Sequence, residues 1–513
     1  MNCDLVFSKA KLLFVFSFSL AVGAISTVRC PADVKLPNVF SDHMVLQQGQ
    51  ENKIWGTDKA GQKISIAIGD KSVEATADDK GAWSAKLPAM NAGGAAMKLS
   101  VKGSSVVEIN DVLIGEVWIC SGQSNMQWNV NQSNDADLER LSSNYPNIRM
   151  INFPQIGRQE AIWTHDDRKW KVSTPETVGE FSAVGYFFAR QLHQTTGVPV
   201  GMINNAWGGS AAEAWVNRDV LNANPKFEGL MKRWIDMEAI HTALAANKAR
   251  TPEEQKQFDG LNGAMFGNAR PGNIYNGVLK SHIGYGIKGA IWYQGESNAG
   301  RAYQYRELFP AMIQNWRQEW GQGDFPFYWV QLADFEVEKA EPGDSPWAEL
   351  REAQTMTMDK VANSGQAVIV DIGEGKDIHP KNKLDVGKRL ARWALAKQYG
   401  IAIDHQSPRY DSNEVSNDSM LVKFKYTESG WRPFDVNTPR GFTIAGEDKK
   451  FYNATATILP DGRIQVSSPD VKKPASVRYA WAQNPICNMF ANNGLPLTPF
   501  RTDDWPGVTA KNE

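Results

Sequence analysis

Two stretches of this chain carry the residue types of a nucleophile and its base. In VWICSGQSNMQW, Val117 to Trp128, a run of strand formers meets Gly122 and then Ser124. β-Branched and aromatic residues suit a buried pleated strand, and glycine permits a tight turn or close approach. A serine at the end of such a strand lies where open α/β sheets place ligand chemistry, although its hydroxyl can also simply cap the next helix. Gln123 and Asn125 flank it with amide donors. A nucleophilic serine needs a base, and the base needs an orienting group. Of the seven histidines, His379 lies in DIGEGKDIHPKNK, just past the apolar run AVIVDI and just before a helix-like segment. Asp377 stands two residues before it and can reach back to the imidazole from the same loop. Pro380 stiffens the turn that follows.

Acyl transfer also needs donors where an oxyanion forms. NNAWGGSAAEAW puts Gly208 and Gly209 after a strand-like run, with backbone N–H groups unobstructed by side chains. WYQGESNAG puts Gln294, Gly295, Glu296 and Asn298 after another, and an amide there can supply a further donor. Gly208, Gly209, Gln294, Asn125 and Glu296 are therefore the oxyanion and binding candidates beside Ser124, Asp377 and His379. Four strand ends carrying Ser, Gly-Gly, Gln and Asp-x-His are hard to read as four separate accidents.

These loops need a frame. Between about residues 110 and 400, apolar runs such as VPVGMINNAW, IKGAIWYQGES, DFPFYWVQLADF and GQAVIVDIG alternate with helical patterns such as AVGYFFARQLHQTTG and KLDVGKRLARWALAKQYG, the latter ending at Gly400 as a C-cap. Alternating β and α units predict an α/β domain with a mostly parallel sheet covered by helices. Residues 222–268, polar and partly Lys/Glu-rich, read as a helical insertion. Short alternating strands in residues 25–109 predict a β-sandwich-like domain, and residues 401–513 read as a second β-rich region.

The chain has 513 residues, with 55 basic against 57 acidic side chains. That balance argues against a general nucleic-acid binder. Lys9 and Lys11 precede the apolar run Leu12 to Ile25, which predicts a signal peptide over residues 1–24 and an exported, periplasmic or extracellular protein. No later segment reads as a membrane span. Four cysteines, one of them in that leader, form neither a disulfide framework nor a zinc pattern. The 18 tryptophans can stack on sugars or build a core; Trp118, Trp128, Trp207, Trp215 and Trp292 lie nearest the motifs.

GQSNM, WGGSAAEAW, WYQGESN and DIHPKNK, in that order, resemble the sialate O-acetylesterase family within the SGNH hydrolases. The resemblance extends to LPNVFSDHMVLQQ near the N-terminus and AWAQNPICNMFANNGLPLTPFRTD near the C-terminus. It implies an SGNH-hydrolase-like sheet, Ser124 as nucleophile, His379 as base and Asp377 as acid, with Glu374 the weaker substitute. The superfamily often has Asp-x-x-His; here that place holds Lys376, which cannot serve as the acid. Gly208 or Gly209 corresponds to the oxyanion glycine. Gln294 stands where many of these enzymes have asparagine. The implied reaction is two-step acyl transfer from an O-acetylated sugar, with no metal or organic cofactor. O-acetylated sialic acid is the implied substrate, and acetylated xylan or another plant glycan is the alternative. The chain lacks the G-x-S-x-G elbow, since Met126 takes the place of the last glycine. A non-catalytic glycan-binding surface protein is the competing reading, but it would not need a complete Ser/Asp/His set.

Overall fold

A computed structural model describes residues 33–512. The expected signal peptide, together with Cys3 and Cys30, lies outside them. At the centre is a sheet whose strands run in the order Ser364–Ala367, Phe327–Val330, Gly289–Tyr293, Val106–Gly122, Val200–Asn204, Tyr145–Asn152, Lys171–Ser173. The first six are mutually parallel. Their C-terminal ends therefore share one edge, with Gly122 paired to Tyr293 and Cys120 to Asn204.

Alternation along the strands fills two cores. Ile119, Ile203, Trp292 and Trp329 join one, while Trp118, Cys120, Met202, Ile291 and Tyr328 join the other. Helices Ala302–Trp320 and Pro346–Lys360 cover the first face through Leu308, Phe309, Met312 and Leu350. Helices Ala183–Thr196 and Lys383–Gln398 cover the second through Val184, Phe188, Val386 and Leu390. A sheet buried on both faces explains why its strands read as unbroken apolar runs. Ser182 caps the first of these second-face helices, and Gly197, at φ 73°, ends it. Gly400, expected as a helix end, is left-handed at φ 66°, two residues past Gln398.

The expectation of a parallel sheet needs amendment. Lys171–Ser173 pairs antiparallel at one edge. Strand Val106–Gly122 runs on past the parallel region, and its first half pairs antiparallel with Met97–Lys102, which leads to Lys63–Ile68 and Lys71–Thr76. The whole is a mixed eleven-stranded sheet. The boundary expected at residues 109/110 falls inside this single strand. Asp111, left-handed at φ 54°, marks the change of course, and its carboxylate takes His43 Nδ1 at 2.6 Å and the buried Arg149 at 3.0 Å.

Helices Glu228–Ala246 and Pro252–Met265 occupy the stretch read as a helical insertion. Past the last helix, two four-stranded antiparallel sheets enclose Met420, Val422, Ile444, Val466 and Val477. Val368 and Val370 join this core, while Ala367 and Ile369 join the core under helices Ala183–Thr196 and Lys383–Gln398. The segment leading to His379 is thus held from both sides. Buried Arg351 adds a clamp, donating to Leu332 O and Ala333 O on one side and to Ala482 O and Gln483 O on the other. Among the described residues no helix is long and apolar enough to cross a membrane.

Candidate active site

Gly122 decides where the Ser124 turn sits. Its φ is +133°, and a Cβ there would lie 2.1 Å from Tyr293 O, so a side chain would drive the two strands apart. Gln123 N donates to the same Tyr293 O at 2.9 Å. Ser124 then opens a single helical turn, Ser124–Gln127. The buried Gln123 amide oxygen accepts from Gly295 N and Ser297 N at 3.3 and 3.4 Å, tying this turn to the loop after Gly289–Tyr293.

The His379 loop follows Ser364–Ala367, the strand at the sheet edge beyond Gly289–Tyr293 and Phe327–Val330. His379 Nε2 lies 2.8 Å from Ser124 Oγ, and Nδ1 lies 3.3 Å from Asp377 Oδ1. The same Oδ1 accepts the His379 backbone N–H at 2.9 Å. That bond holds the Asp377 carboxyl below the usual carboxylate range, helped by the charge of His379. Burial pulls the imidazole below its ordinary 6.5, the Asp377 carboxylate pushes it back up, and the Lys383 charge lowers it again. Glu374 faces elsewhere: its carboxylate accepts Lys381 N at 2.8 Å and Lys381 Nζ at 3.3 Å. Trp128 stacks on His379 with ring centroids 4.6 Å apart and planes 13° apart, fixing the tilt of the imidazole.

The two glycines separate. A Cβ on Gly208 would sit 3.3 Å from Ser124 Cβ, whereas one on Gly209 would meet Asn268 Nδ2 at 3.3 Å instead. Gly208 is thus the one packed against Ser124. Its N–H donates to Gln127 Oε1 at 2.7 Å. Gly209, left-handed at φ +71°, makes the turn, and its carbonyl accepts Ser297 Oγ at 3.0 Å.

Gln294 does not offer the donor expected of it. Its Nε2 donates to Ser210 O at 3.1 Å and Asn298 Oδ1 at 2.7 Å, and its Oε1 accepts from Tyr305 at 2.9 Å. Both amide hydrogens are engaged, so this side chain braces the glycine loop against the loop that carries Glu296. Asn298 extends the brace to buried Glu213. Asn125 and Glu296 meet directly, Nδ2 to Oε1 at 2.7 Å. Burial pushes the Glu296 carboxyl up, and the Asn125 bond partly offsets this.

Sequence reasoning missed Gln127, Lys383 and the packing role of Trp128. Gln127 stands one helical turn past Ser124, a spacing that places both near one face. Lys383, the second lysine of KNK, carried no signal of burial. Trp118, Trp215 and Trp292 are core residues, so of the five motif tryptophans Trp128 and Trp207 keep exposed surface. Among the described residues, Cys120 is a buried free thiol and Cys487 is also free.

A model of the family described as carbohydrate esterase, sialic acid-specific acetylesterase, matches residues 114–246 and 269–396, which contain all four motifs. The sialate O-acetylesterase of Mus musculus is 28% identical, the match covering 95% of this chain and 97% of the relative. That of Homo sapiens is 27% identical over 92% and 94%. Among solved structures, a carbohydrate acetylesterase from Xanthomonas citri superposes with a TM-score of 0.80 at 36% identity, covering 92% of this chain and 100% of that one. The chain belongs to the sialic acid-specific acetylesterase family of carbohydrate esterases, and is an enzyme of the carbohydrate O-acetylesterase class.

Proposed function

We propose that this enzyme removes O-acetyl groups from sialic acid by a Ser124–His379–Asp377 mechanism on an SGNH-hydrolase-like sheet. The observation that carries the reading is the 2.8 Å approach of His379 Nε2 to Ser124 Oγ at the C-terminal edge of parallel strands. Ser124 Oγ attacks the acetyl carbonyl while Nε2 takes its proton. Asp377 orients the imidazole through Nδ1 and stabilises its charged form. The backbone N–H groups of Ser124 and Gly208 receive the oxyanion. For the Gly208 N–H to do so, Gln127 Oε1 must give way. The protonated His379 then passes its proton to the departing sugar oxygen. Water, deprotonated by the same nitrogen, attacks the acetyl-serine, and acetate leaves as Ser124 recovers its proton.

The mouse and human relatives named for sialate support that substrate. A wider glycan range is the second reading, because the Xanthomonas citri protein is named for carbohydrate without sialate. The basic and then apolar N-terminal run supports export. The test is acetate release by wild type and Ser124→Ala on O-acetylated sialic acid and acetylated xylan side by side. Release by wild type alone, faster from sialic acid, is expected. Equal release by Ser124→Ala would remove the nucleophile assignment, and preference for xylan would replace the substrate.

A further inference from the structure

Behind the nucleophile lies a buried charged group that the mechanism above does not use. Lys383 opens helix Lys383–Gln398 and is 0% exposed. Its Nζ donates to Asn125 Oδ1 at 2.5 Å and lies 5.3 Å from the Tyr293 ring centroid and 5.9 Å from that of Trp128. Asn125 Nδ2 donates to Glu296 Oε1 at 2.7 Å and to Ile378 O at 3.0 Å. One amide thus joins four segments: the turn that carries Ser124, the loop after Gly289–Tyr293, the residue just before His379, and the helix after it.

We propose that Lys383 is a positioning residue of this esterase: through Asn125 it locks the Ser124 turn to the His379 loop. The proposal rests on the reading of Ser124 and His379 as the reacting pair. A lysine is rarely buried unless something compensates its charge. The compensation here comes from the Glu296 carboxylate, from Asp377 and Glu374 in the His379 loop, and from the faces of Tyr293 and Trp128. Burial nevertheless pulls the ammonium down to about 7. The hydrogen bond to Asn125 survives loss of that proton, because the neutral amine still donates. The charge does something further: it opposes protonation of His379 and so keeps the base free at lower pH.

The test compares wild type with Lys383→Met, reading fluorophosphonate labelling of Ser124 and acetyl-ester hydrolysis from pH 4 to 9. Labelling reports the Ser124–His379 pair without any sugar. Lys383→Met should label about tenfold more slowly or worse at neutral pH. It should lose kcat with little change in KM, and its acid limb should move upward by about half a unit or more. Lys383→Arg, which keeps a cation, should leave the acid limb near the wild-type position. If Lys383→Met does not fold, Lys383→Gln carries the same comparison. Labelling and an acid limb within twofold of wild type in a folded, uncharged variant would overturn the proposal. So would a wild type that does not label, which would remove Ser124 as well. A wild type that labels but releases no acetate from sugars would refute the substrate reading alone, and slower labelling of Lys383→Met would still support the lock.

Discussion

Asp377→Asn is the sharpest probe of the triad, because asparagine preserves nearly everything except the charge. Its Oδ1 can still accept the His379 backbone N–H, now 2.9 Å away, so the loop should keep its shape. What disappears is the attraction between a carboxylate and the imidazolium formed during attack, across 3.3 Å. At that distance the pair is worth about 1.3 kcal/mol in bulk water and about 5 kcal/mol at the effective dielectric of a protein site. The Asp377 side chain is 38% exposed and that of His379 25%, so solvent screening draws the value toward the lower bound. About 2 kcal/mol, or roughly 30-fold in kcat/KM, is the expected loss. That is smaller than the roughly 10⁴-fold loss known for a buried triad aspartate.

The pH profile adds a sign. Wild-type kcat/KM should rise with pH as His379 loses its proton, with a midpoint below 6.5 because burial disfavours the imidazolium. Asp377 holds that midpoint up, so Asp377→Asn should lower the plateau while moving the acid limb further down. Steady-state hydrolysis of an acetyl ester from pH 4 to 9 reads both effects. A loss under threefold, or a larger loss from Glu374→Gln, would refute the choice of Asp377.

Two further substitutions probe the oxyanion side. Gln127→Ala should raise kcat/KM about fivefold, since the substrate carbonyl no longer displaces a hydrogen bond of about 1 kcal/mol from Gly208 N–H; a fall in kcat/KM would mean that Gln127 helps hold the substrate. Gly208→Ala should lower kcat about tenfold, with the melting temperature changed by only a few degrees. Its φ is not positive, but its new methyl would press on Gln127 Oε1 at 3.1 Å and Ser124 Cβ at 3.3 Å. Unchanged kcat would move the donor role to another group.

The Ser124–His379 meeting was legible because polar residues interrupt apolar runs that could only be buried strands, and parallel strands bring such interruptions to one edge. The rest depended on contacts distant in sequence. Choosing Gly208 over Gly209 required the path of the loop past Ser124. The fate of Gln294 required Ser210, Asn298 and Tyr305, which come from three segments. Lys383 read as one more basic residue near a helix start, where solvation is the ordinary outcome. Trp128, Tyr293 and Asn125 close over it only in the fold. The domain boundary expected at 109/110 cuts the 17-residue strand Val106–Gly122, whose first half alternates between exposed and buried positions while its second half is buried throughout. That contrast records one face in water and then two faces in protein.

That strand makes the two units mechanically inseparable. Its backbone is the last rung of the N-terminal antiparallel strands and a central rung of the parallel ones, and its last residue is Gly122, two positions before Ser124. Loosening the strand near Val106 removes hydrogen bonds from the same continuous beam that sets the height of the serine. Heat, denaturant or truncation applied to the small N-terminal unit therefore acts on the strand that ends two residues before Ser124, and the two units should melt as one cooperative body rather than in succession, a single transition by calorimetry being the expected result.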